Sequence, residues 1–217
     1  MVNKGNYDWP GWPLDQNPYG KEFDLDARIR MVQGSRKLLP LINKYESQVG
    51  STMIEAGPFF EPLLTPDTFP GKSIIYVDND HFVADYLAAR FPDAHIISHD
   101  FKNPFLELQD KIKKVLKIAQ RPLIGSLVAS HLLNYIDFQN FILTSRELLF
   151  EGGLLFINNS IDYGLPSFFS SQRPRNNAEI IEALVRFGFD IVKEQEILSE
   201  NREIQLNSRL LLVARKK

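Results

Sequence analysis

The chain of 217 residues is 44% hydrophobic, 24% charged and 12% aromatic, a mixture that can bury one large core and excludes disordered and fibrous classes. Its 25 Lys and Arg against 27 Asp and Glu leave a formal charge of −2, so no global positive field gathers phosphates, and a nucleic-acid partner is not expected. With no cysteine, disulfides, thiolate metal sites and thiol nucleophiles drop out. Without a signal-peptide run or an apolar stretch of ~18 residues, the expectation is a cytoplasmic protein with no membrane partner.

Residues 1–22 are rich in Pro, Gly and aromatics, among them Tyr7, Trp9, Trp12 and Tyr19, and read as an irregular arm. From Leu25 to Tyr45 apolar residues recur at helical spacing, but Gly34 and Pro40 interrupt it, which predicts two short helices. Residues 1–48 therefore form an aromatic arm with cap helices, and residues 49–217 form the main domain. There, short β-branched runs alternate with amphipathic stretches. Strands are predicted at Thr52–Ala56, Ser73–Val77, His95–Ser98, Ser126–Ala129, Leu154–Ile157, Phe189–Gln195 and Ser208–Ala214; helices are predicted at His81–Arg90, Leu106–Ala119, Phe138–Phe150 and Asn177–Phe187. Crossover helices between strands predict an α/β fold with a Rossmann-like, doubly wound, seven-stranded sheet that is mostly parallel. The link at 196–207 (EILSENREIQLN) is polar and too short for a helical crossover, so the last two strands form a hairpin and the C-terminal strand is antiparallel.

In an open parallel sheet, ligands bind beyond the carboxyl ends of the strands, so the strand exits carry the candidates. The first leaves through Glu55, Gly57, Pro58 and Phe59, where Gly57 either lets backbone amides approach a charged ligand or simply permits a tight turn. The second ends in Asp78, Asn79 and Asp80, with Asp78 standing 21 residues past Gly57. At that position a carboxylate accepts from the vicinal hydroxyls of a ribose, whereas Asp80 is a helix N-cap candidate. The third exit offers Asp100 as acceptor for an exocyclic amine and Phe101 as an apolar surface for a purine. The fourth offers Ser130, His131, Asn134 and Tyr135; His131 is either a general base or a packing residue, with Tyr135 or Asn134 orienting an acceptor. After the fifth strand, Asn158 and Tyr163 lie at the same edge, with Arg173 and Arg175 either reading an acidic group or solvated. His95 and His99 have no companion ligands nearby, so no metal is expected.

This set resembles the class I S-adenosylmethionine-dependent methyltransferases over roughly residues 50–217. The resemblance is carried by MIEAGP, IIYVDND, AHIISHDF, SLVASHLLNYID, the 146–157 passage RELLFEGGLLFI with its paired glycines read as a helix C-cap, FGFDIVKEQEI and SRLLLVARK. It implies a methyltransferase with S-adenosylmethionine as cofactor and S-adenosylhomocysteine as product. Glu55, Gly57, Pro58 and Phe59 would stand around the methionine moiety, Asp78 and Asn79 at the ribose, Asp100 and Phe101 at the adenine, and Ser130 and His131 near the sulfonium and the acceptor. The chain departs from the family where Phe59 and Glu61 replace further glycines. No Asn-Pro-Pro-Tyr follows the fourth strand, which points to a small-molecule acceptor, N- or O-methylated, with Tyr7, Trp9, Trp12 and Tyr19 either closing over it as a lid or packing as a strap. Two competing readings are a catalytically degenerate binding module, motivated by Phe59 and Glu61, and a nicotinamide-dependent reductase, disfavoured by the missing glycine fingerprint.

Overall fold

Seven apolar segments pair into one sheet, comprising β1 (Thr52–Ala56), β2 (Ser73–Asp78), β3 (His95–Ser98), β4 (Ile124–Ser130), β5 (Leu149–Ser160), β6 (Phe189–Ile197) and β7 (Arg209–Lys216). The computed structural model describes residues 32–48, 50–118, 124–161, 169–197 and 209–217. The strand order is β3-β2-β1-β4-β5-β7-β6. The first five strands are mutually parallel, and β7 runs antiparallel to both β5 and β6. The sheet and its reversed C-terminal strand are as the sequence predicts.

Both faces of the sheet are covered, which is why its central strands are continuous apolar runs. On one face Ile54, Ile75, Leu127, Leu155 and Leu212 pack against residues of α4 (Phe105–Leu116), α5 (Phe138–Leu148) and α6 (Asn177–Arg186). On the other, Met53, Tyr76, Val128, Phe156 and Val213 meet Ile42 of α2 (Leu39–Lys44), Val83 and Leu87 of α3 (His81–Arg90), and Phe60, Leu63 and Leu64 of the β1–β2 connection. The helical residues 32–36, here α1, are separated from α2 by a turn, and α2 begins with Pro40 in its first turn, where a missing N–H costs nothing. The break falls at Lys37 and Leu38 and Pro40 opens the second helix, whereas Gly34, expected to interrupt the run, lies inside α1. Asp80, Asp137 and Asn176 cap α3, α5 and α6 with their side chains, satisfying amides that have no partner inside the helix.

One expectation is corrected. The pair Gly152-Gly153 is not a helix C-cap: α5 ends at Leu148, with Leu149 as an extended cap, and the glycines lie inside β5. Gly152 has φ 85°, and the pairing of β4 with β5 jumps from Ile124↔Leu149 to Ser126↔Leu154. The glycines therefore absorb a bulge that sets the register of the rest of β5. Chain reversal and bulge both need positive φ, so the residue pair alone does not distinguish them.

Leu212 sits unexposed on β7 between β5 and β6. Leu212→Ala is expected to lower unfolding free energy by about 2–5 kcal/mol, measured by urea denaturation.

Candidate functional site

The β1 exit is organised by Glu55. Its side chain is 2% exposed, and its two oxygens accept from the amides of Leu63 (2.9 Å) and Leu64 (2.8 Å). The Tyr76 hydroxyl donates to the Leu64 carbonyl. These bonds fold the segment from Gly57 to Leu64 back across the strand end. Burial pushes the Glu55 carboxyl up to about 7 against the opposing effect of the two amides.

At the adjacent β2 exit, Asp78 accepts from the Asp80 amide at 3.0 Å and also from the amides of Phe59 and Asn79, so the first loop is held at both ends by carboxylates. Burial raises Asp78 to about 6, with the amides opposing. Phe59 stands where the family resemblance expects glycine, yet it adopts φ 53°, the left-handed conformation glycine usually supplies, at a cost of about 1–2 kcal/mol. Its ring lies edge-on to Phe60 at 4.6 Å. The second departure, Glu61, is paired with Arg90 at 3.1 Å, so its charge is balanced within the protein.

Two small cavities meet at Gly57. The first, of about 90 Å³, is lined by Gly57, Asp78, Asn79, Asp100, Phe101 and Tyr135, together with Val77, His99, Lys102, Leu132 and Ile136. The second, of about 40 Å³, is lined by Glu55, Gly57, Pro58, Phe59, Ser130 and His131 with Val32, Ser35 and Glu61. Gly57 has φ 63°, and a Cβ there would come within 2.9 Å of the Leu132 side chain, so only glycine leaves the junction open. Phe101 contributes a wall anchored in the core, its ring edge-on to Phe141 at 5.1 Å. Tyr135 lies in the first cavity and His131 in the second, so the two catalytic candidates are not side by side.

Behind Ser130 lies a buried polar network. His131 has φ 58° and donates its backbone N–H to the Asn158 carbonyl at 2.7 Å. Arg209 Nη1 lies 2.9 Å from His131 Nε2 and 3.0 Å from Asn158 Oδ1. Asn158 Nδ2 donates to the Gly34 carbonyl and to Ser130 Oγ, each at 3.0 Å, and Ser130 donates to Ser35 Oγ at 2.8 Å. Asn158 therefore braces the site from behind. Burial, reinforced by Arg209, pushes His131 down to about 3. Gly34, Ser35 and Arg209 were not legible as site residues; the one signal was an Arg at the start of the last apolar run.

Arg173 and Arg175 line a third, polar cavity of about 450 Å³ with Asp137 at the N-terminus of α5 and Glu179, Glu182 and Arg186 along α6. The aromatic candidates Tyr7, Trp9, Trp12 and Tyr19, and Tyr163, lie outside the described residues. Among the described residues no group of three or more His, Asp or Glu side chains is placed to hold a metal, and no helix is long and apolar enough to cross a membrane.

The ionisation of Glu55 predicts a pH-dependent stability. Its folded value of about 7 lies above the ordinary 4.5, so the folded state favours the protonated form and stability is lost as pH rises through that window. The loss is about 3 kcal/mol in order of magnitude. Glu55→Gln, which gives up one amide acceptor, should be less stable at pH 4.5 but lack the slope between about pH 6 and 7; thermal melts across pH read this, and parallel curves for the two proteins would contradict it.

No protein-family model matches the chain. No curated protein matches it in sequence. Solved structures match its fold over most of its length. A TehB-like SAM-dependent methyltransferase from Corynebacterium glutamicum is 15% identical at TM-score 0.59, over 88% of this chain and 96% of that one. The 1,6-didemethyltoxoflavin-N1-methyltransferase of Burkholderia thailandensis, solved with its substrate and S-adenosylhomocysteine, is 15% identical at TM-score 0.60, over 88% and 83%. The [4+2]-cyclase SpnF is 13% identical at TM-score 0.64, over 83% and 80%. With the strand order and the reversed β7, these likenesses give the chain the fold of the class I S-adenosylmethionine-dependent methyltransferases.

Proposed function

We propose that the protein is an S-adenosylmethionine-dependent methyltransferase acting on a small-molecule acceptor in the cytoplasm. The observation that carries this reading is the convergence of Gly57, Asp78, Asp100 and Phe101 on one cavity at the exits of β1, β2 and β3. That is the side of the point where strand order reverses between β1 and β4, the usual ligand position in such sheets.

The residues present fit the cofactor. Asp78 accepts from the amides of Asp80, Phe59 and Asn79 and keeps a remaining lone pair for a ribose hydroxyl. Asp100 uses one oxygen on the Lys102 amide and keeps the other for an exocyclic amine, while Phe101, Val77 and Ile136 give a purine its apolar surface. Gly57 supplies a cradle that a Cβ would fill. The cavities of about 90 and 40 Å³ are smaller than the ~300–1,000 Å³ of ordinary small-molecule sites, so binding requires the pocket to widen. Bound S-adenosylmethionine supplies an electrophilic methyl group on a sulfonium. The chain's own contribution is to orient the reacting groups in line and keep water out between the β1 loop and the β4 exit.

The toxoflavin N1-methyltransferase named above holds a small molecule, 1,6-didemethyltoxoflavin, which supports that acceptor class. A second reading, a binding or non-methylating relative, is favoured by the strained Phe59 loop and by a cyclase sharing the fold.

Calorimetric titration with S-adenosylmethionine and S-adenosylhomocysteine tests the proposal, with micromolar binding expected. Asp78→Ala should weaken binding by about 1–3 kcal/mol, roughly 5- to 150-fold in Kd. Because Asp78 titrates at about 6 and its charged form accepts the hydroxyls, wild-type affinity should also fall as pH drops from 7 to 5. No binding at any pH would favour the second reading.

A further inference from the structure

Arg209, at the start of β7, has no part in the cofactor pocket, yet its guanidinium bonds side chains at both the β4 and the β5 exit, His131 and Asn158. An arginine only donates hydrogen bonds. Its contact with His131 Nε2 at 2.9 Å therefore makes that nitrogen the acceptor and leaves the ring proton on Nδ1. The same guanidinium nitrogen donates to Asn158 Oδ1, and Asn158 in turn bonds Ser130 and the Gly34 carbonyl. Imidazole orientation, the β4 exit, the β5 exit and the α1 turn are thus set together.

Two further observations support a specified arrangement. His131 holds a positive φ, a conformation that a non-glycine residue keeps only when its surroundings over-determine it, and its backbone amide is fixed on Asn158. Gly34, inside the helical residues 32–36, has no turn to make, but a Cβ on it would overlap the Arg209 guanidinium. Glycine is a poor helix residue, so its presence there keeps room for the arginine.

We propose that Arg209 is a positioning residue that holds His131 as the neutral, Nδ1-protonated tautomer beside the Glu55–Ser130 cavity, so that this imidazole forms a fixed wall of the acceptor side and takes no proton from the acceptor. The placement of the acceptor rests on the methyltransferase reading; the tautomer does not. Arg209 faces the His131 ring from β7, and the titratable groups that line this cavity with His131 among the described residues are Glu55 and Glu61, the latter paired with Arg90. An acceptor bound here must bring its own lone pair or release its proton to another group. His131→Gln would then leave no signature of a lost base in a pH–rate profile.

The test is long-range ¹H–¹⁵N NMR of the imidazole rings in the ligand-free protein from pH 5 to 8, with His131 assigned by loss of its signals in His131→Gln. The wild-type ring is expected to be neutral and Nδ1-protonated throughout. In Arg209→Met, the tautomer should change or a titration should appear with its midpoint above about pH 5. Gly34→Ala, which suits a helix and displaces the guanidinium without touching His131, should move the same signals in the same direction, and covers the case in which Arg209→Met fails to fold. An Nε2-protonated ring or a titration near 6.5 in the wild type would overturn the proposal, as would an unchanged ring in Gly34→Ala. Failure of S-adenosylmethionine to bind in calorimetry would instead count against the methyltransferase reading and leave the tautomer result standing.

Discussion

Glu55 sits at the last turn of chemistry before β1 gives way to loop, and both of its oxygens are spent on amides of that loop. A buried carboxylate is costly unless its lone pairs are used, so the loop must return to Leu63 and Leu64 wherever the strand ends. Asp78 imposes the same condition from the next strand by taking the Phe59 amide. Between these two anchors the path of residues 57–64 is set by hydrogen bonding rather than by glycine content. That is how the chain keeps a tight first loop with Phe59 and Glu61 in it, storing strain at Phe59 and balancing Glu61 with Arg90.

The reversed final strand has a consequence for the site as well as for the sheet. Because β7 is antiparallel to β5, with Arg209 paired opposite Ser160, its first residue arrives at the same edge as the carboxyl ends of the parallel strands. A parallel last strand would have started at the opposite edge. The insertion of β7 between β5 and β6 therefore delivers a guanidinium to Asn158 and His131, and the helical turn at Gly34 and Ser35 closes over them.

Much of the fold was legible because burial on both faces of a parallel sheet writes uninterrupted Ile, Val and Leu runs into β1, β2 and β4. The reversal of β7 was legible from a link too short and polar for a crossover helix. The start of β5 was not, since Leu149 to Gly153 continues the apolar spacing of α5 and only the register jump against β4 reveals a bulge. At the site, Asp78, Asp100 and Gly57 were legible because their positions relative to strand ends carry the meaning. Arg209, Ser35 and Gly34 were not: their roles arise from contacts spanning as many as 124 residues between Gly34 and Asn158, and no local pattern encodes such a contact. His131 was readable as a residue of the β4 exit, but its contact with Arg209 was invisible.

A fold shared with a [4+2]-cyclase does not fix a reaction, and the proposed function depends on a nucleoside binding at the exits of β1, β2 and β3. Hydrogen–deuterium exchange with and without S-adenosylhomocysteine tests it most directly. The account predicts slowed exchange at residues 57–60, 78–80 and 99–102, with little change in α6. Protection confined to residues 170–186, or none at saturating ligand, would contradict it.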